Sequence, residues 1–109
     1  MQLFITVLTD DGLVPSILQK LSDFDYHGSV LSTKSIHRAL DSVEPDPYFG
    51  GINKVMGEEE VSRPMIFVVV KEDSEVKRLA KLVKEACGDI KDKGFMYSLP
   101  ISFLEGLDD

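Results

Sequence analysis

"RPMIFVVVK", residues 63–71, is an almost unbroken run of β-branched, aromatic and long apolar side chains behind a single proline. Such a run is too short for a buried helix and has the composition of a strand. Pro64 is tolerated at a strand start, where a ladder donor is not yet needed. Alternation puts Ile66, Val68 and Val70 on one face, with Met65, Phe67 and Val69 on the other. Both faces are apolar, so this strand is expected to be covered on two sides.

Outward from it, the same pattern returns at the start of the chain. In "QLFITVLTD" (2–10), Leu3, Ile5 and Val7 alternate with Phe4, Thr6 and Leu8. Leu13, Val14, Ile17, Leu18 and Leu21 then fall at helical spacing, with Pro15 allowed only in a first turn. A helix over about 13–25 is predicted, with Gly28 as its stop. "SVLSTKSIH" (29–37) reads as a half-buried strand. After 63–71, residues Val76, Leu79, Ala80, Val83, Ala86 and Cys87 share one helical stripe, closed by Gly88. Acids lead this helix and bases follow, as the helix dipole favours. A turn, "GDIKDKG" (88–94), leads into a last strand, "FMYSLPISF" (95–103), with Pro100 interrupting its regular part.

The order is β-α-β, a long loop, then β-α-β. One domain spanning 1–109 is expected, an α+β ferredoxin-like plait: a four-stranded antiparallel sheet with two helices on one face. Two helices cover one face only. The second apolar face of strands 1 and 3 then requires association, because patches of that size are seldom left wet.

The loop is long for a compact domain. Residues 41–60, "DSVEPDPYFGGINKVMGEEE", hold six carboxylates, three glycines, two prolines and Lys54 as their one base. They carry most of a net charge of −7. An acidic arm makes nucleic acid and anionic membranes poor partners. No apolar run reaches the ~20 residues of a membrane helix. One cysteine and no basic-then-apolar leader point to the cytoplasm.

Chemistry-bearing residues are sparse. Cys87 lies on an apolar helical stripe and reads as a core residue. His27 and His37 have no CxxC, HxH or HExxH context. Walker A, GxGxxG and nucleophile-elbow patterns are missing from the sequence, so no catalytic residues and no metal ligands are assigned. Two polar stretches stand out. "GDIKDKG" offers Gly88, Asp89, Lys91, Lys93 and Gly94 as an anion-holding turn. "STKSIHR" (32–38) offers Lys34, His37 and Arg38 at the root of the long loop.

With these features the chain resembles the PII-like family of signalling proteins over nearly its whole length. "HGSVLSTKS" is similar to that family's second strand, residues 41–62 take the place of its T-loop, and "CGDIKDKGFMYSLPI" resembles its B-loop and fourth strand. The resemblance implies a homotrimer with sheets turned inward and a small-molecule site between subunits, commonly for an adenine nucleotide such as ATP or ADP. It also implies a loop that engages a partner protein, here through Tyr48, Phe49, Gly50, Gly51, Ile52 and Lys54. "SIHRAL" has no glycine where the family carries one, and "ISFLEGLDD" has acids in place of an arginine pair. The ligand therefore stays open between a nucleotide and another small anion. A ligand-free interaction module of the same fold, or a metal-responsive trimer resembling the CutA group, are the alternatives.

Overall fold

The computed structural model describes residues 1–9, 11–42 and 63–107. Strand β1 (Gln2–Leu8) leads through a short 3-10 turn (Asp11–Leu13) into helix α1 (Val14–Asp23). Strand β2 (Gly28–Thr33) and helix α2 (Ile36–Ser42) follow. Beyond residue 62 come strand β3 (Arg63–Val70), helix α3 (Glu75–Cys87) and strand β4 (Gly94–Pro100). The strands form one antiparallel sheet in the order β2-β3-β1-β4. The expected plait is thus present, with the two most apolar strands at its centre.

The core lies between one sheet face and helices α1 and α3. Phe4 and Leu8 of β1 and Ile66, Val68 and Val70 of β3 meet Ile17 and Leu21 of α1 and Leu79, Leu82 and Val83 of α3. Cys87 packs against this cluster, as its place on the stripe suggested. Thr6 shares that face, is 1 % exposed, and its hydroxyl has no hydrogen-bond partner among the described residues. Replacing it by the near-isosteric Val should stabilise the fold by about 1–2 kcal/mol, because a buried hydroxyl without a partner is costly. A urea melt that shows Thr6→Val to be destabilised would mean that the hydroxyl is satisfied in solution.

Several boundaries differ from the sequence reading. Helix α1 stops at Asp23, not 25, and Gly28 is not its stop. The chain turns through Asp25, which takes a positive φ of 62°, while Phe24 and Asp25 donate back to Leu21 and Ser22. Gly28 opens β2 instead. A Cβ there would stand 1.9 Å from the Phe67 carbonyl oxygen, so β2 approaches β3 too closely for any side chain. The strand predicted over 29–37 ends at Thr33. Its last described pair with β3 is Thr33 with Arg63. The residues after Thr33 bond locally, with the Ala39 N–H donating to the Ser35 carbonyl at 2.9 Å. Ile36 and His37 are therefore helical, and so are Asp41 and Ser42, which the sequence placed in the loop. The last strand ends at Pro100 rather than 103, one further ladder bond joining Ile101 N–H to the Met1 carbonyl at 3.1 Å.

Among the described residues, the other sheet face has neither α1 nor α3 packed on it. Three rows cross it directly: Met65–Val7–Phe95, Phe67–Ile5–Tyr97 and Val69–Leu3–Leu99. Ile5 and Val7 are shielded by their larger neighbours, but Phe95, Tyr97 and Leu99 are 52 %, 40 % and 49 % exposed. Phe95 and Tyr97 stack with ring centroids 5.9 Å apart. Beside them in the sheet plane, Leu31 of β2 adds a further exposed apolar group on the same face.

Candidate functional site

The register fixes where the sequence-predicted site residues fall. Thr33 pairs with Arg63, Met65 with Val7, and Leu8 with Gly94. Lys34, His37 and Arg38 therefore leave the sheet at the same end as the 88–94 turn. They leave it on opposite edges, however, β2 being one edge strand and β4 the other. Three strand spacings of roughly 4.8 Å separate them within one chain. A single copy does not bring the two stretches into one cleft.

The turn itself is built inward. The Lys91 N–H donates to the Asp89 carboxylate at 3.3 Å, and the Lys93 and Gly94 N–H groups to the Ile90 carbonyl at 2.9 and 3.0 Å. The Gly88 N–H donates to the Lys84 carbonyl at 2.8 Å, closing α3. The Lys93 ammonium caps the same helix end by donating to the Cys87 carbonyl. Its place there matches the preference of cations for helix C-termini. Of the turn's cations, Lys91 points its charge to solvent without any such engagement among the described residues. Residues Tyr48, Phe49, Gly50, Gly51, Ile52 and Lys54 lie outside the described residues.

A second polar place was not legible in the sequence. At the opposite end of the sheet, where β2 begins and β3 ends, a cavity of about 690 Å³ opens. Phe24 and Tyr26, two residues apart in the turn after α1, face Arg78 of α3. Its guanidinium lies 5.4 Å from one ring centroid and 5.8 Å from the other, within cation–π range. The Tyr26 hydroxyl donates to Glu75 Oε1 at 3.4 Å. Burial pushes the Tyr26 phenol above its ordinary pKa; Arg78 opposes that shift and Glu75 adds to it. Glu75 Oε2 also accepts the Glu72 N–H at 3.4 Å, so this carboxylate helps to start α3. Leu107 also lines the cavity, as do Phe67 and Val69 of β3, whose side chains belong to the other face of the sheet. Arg78 reads in the sequence as one more solvated base on a helix. Only the fold brings it near two rings 52 and 54 positions away.

Among the described residues no group of three His, Cys, Asp or Glu side chains could hold a metal ion, and no helix is long and apolar enough to cross a membrane. No protein-family model matches the chain, and no curated protein matches it significantly.

Proposed function

We propose that this chain is a PII-like regulatory protein rather than an enzyme. It works as a homotrimer that takes a small anionic ligand, an adenine nucleotide or another anion, between subunits, and it acts on a partner protein through residues 41–62. The observation that carries this reading is the sheet face left uncovered by α1 and α3 among the described residues, with Phe95, Tyr97 and Leu99 each about half exposed. Completing their burial is worth roughly 1 kcal/mol per side chain, and identical faces from neighbouring copies are the simplest cover. Association also gives Lys34 and Lys91 a route to each other. They sit at one end of the sheet on opposite edges, so the edge of one subunit can meet the other edge of the next.

A thermal-shift titration with ATP, ADP, cyclic dinucleotides and bicarbonate tests the ligand half of this reading. Binding raises the melting temperature in proportion to ln(1 + [L]/Kd). Lys91→Ala should weaken the active ligand by about 1–3 kcal/mol, the scale of a charge-assisted bond. A second reading has one observation in its favour. The turn spends four backbone donors and Lys93 on itself, which suits a ligand-free interaction module of the same fold. Flat melting curves with every ligand would decide for it.

A further inference from the structure

A separate cavity of about 380 Å³ lies between the first turns of α1 and the later part of β2. Ile17 and Leu21 of α1 belong to the core, while Val14 and Leu18, one turn apart, line this cavity. Val30 and Pro64 line it from the sheet. Val30 pairs with the core residue Ile66, and Pro64 stands two residues before Ile66, so both share the face that carries the helices. Leu31 borders the cavity as well, with its side chain on the other face. Among the described residues no strand lies beyond β2, and Leu18 and Val30 are left 37 % and 47 % exposed. Asp11, the first residue of the 3-10 turn, is the one charged residue of the lining among the described residues. It takes part in no ion pair or hydrogen bond among them.

From this arrangement we infer that the cavity binds a lipophilic amine, a small molecule with an apolar body and one cationic head. The body covers Val14, Leu18, Val30 and Pro64, and the ammonium pairs with Asp11. Apolar contact supplies most of the affinity. Asp11 is exposed, so its carboxylate adds little energy and acts mainly by selecting the sign of the ligand's charge. A carboxylate or phosphate ligand would meet it as a like charge. The chain's net charge of −7 acts in the same direction at longer range. The volume is at the lower end of small-molecule sites, which suits one ring and a short chain rather than a peptide. These four apolar side chains and Asp11 belong neither to the uncovered sheet face nor to the stretches of Lys34 and Lys91. The ligand also has the opposite charge, so the inference is independent of the function proposed above.

The test is a methyl-resonance titration of the full chain with three probes that share one apolar body: 3-phenylpropylamine, 3-phenylpropan-1-ol and 3-phenylpropionate. The amine should shift the methyls of Val14, Leu18 and Val30 together. At low ionic strength it should bind about threefold more tightly than the alcohol, the scale of one exposed ion pair, and the carboxylate should bind most weakly. Added salt should bring the amine towards the alcohol. Asp11→Asn should remove the amine's advantage and leave the alcohol's affinity unchanged; Asp11 is exposed, so this variant should keep the wild-type melting temperature. No shift of the three methyls with the amine would overturn the inference. An amine that binds no more tightly than the alcohol, or an advantage that survives Asp11→Asn, would overturn it too, since Asp11 would then play no part in recognition.

Discussion

Gly94→Ala is expected to destabilise the fold by about 2–5 kcal/mol, combining backbone strain with a steric clash. Gly94 is the first residue of β4 and pairs with Leu8 of β1. Its φ of +148° lies where L-residues are rarely found. A Cβ at this position would stand 1.9 Å from the Val7 carbonyl oxygen and 3.0 Å from Leu8 Cα. Neither neighbour can yield cheaply. β1 is a central strand, held by β3 on one side and β4 on the other. Relief requires β4 to lift from β1 at the point where the Thr9 N–H also ties the turn down through the Lys93 carbonyl. Denaturant unfolding measures the loss directly. A loss below about 1 kcal/mol would mean that the turn and β4 reorganise freely, contrary to their packing here.

The second large effect concerns assembly. Tyr97→Glu and Phe67→Glu, neighbours across Ile5 in one row of the bare face, should dissociate the oligomer and leave each chain folded. In a single chain Tyr97 is 40 % exposed, so a carboxylate there stays hydrated. In the assembly it would be buried without a partner, at a cost of several kcal/mol, or a hundredfold or more in association. Phe4→Glu and Val68→Glu act differently. Both residues face α1 and α3 and are 2 % exposed, so glutamate at either position should unfold the chain rather than separate copies. Light scattering on the four variants, read beside their circular dichroism, distinguishes the two outcomes. If Tyr97→Glu keeps the wild-type mass, the face it occupies is not the interface.

Much of the fold was legible because burial writes a simple code. Apolar residues on both faces of 2–8 and 63–70 marked two strands that need cover on both sides, and the stripe from Val76 to Cys87 marked α3. The reading missed what depends on neighbours. β2 and its continuation contain similar residues, and the turn of the chain into α2 after Thr33 is not marked by composition. Asp25, not Gly28, makes the turn after α1, since an Asp tolerates positive φ and Gly28 is needed for a close strand approach. The Lys93 cap is a contact that charge alone does not signal. The 690 Å³ cavity joins residues from the turn after α1, the end of β3 and α3, and no local pattern contains all three. The polar stretches at Lys34–Arg38 and 88–94 were visible as compositions. Their placement on opposite edges needed the strand order.

The central claim is that the sheet face left uncovered by α1 and α3 is covered by other copies of the chain. Sedimentation equilibrium of the unmodified protein at micromolar concentration tests it most directly. A species of three chain masses, persisting on dilution, is the result expected; a single chain mass across the whole concentration range would contradict it.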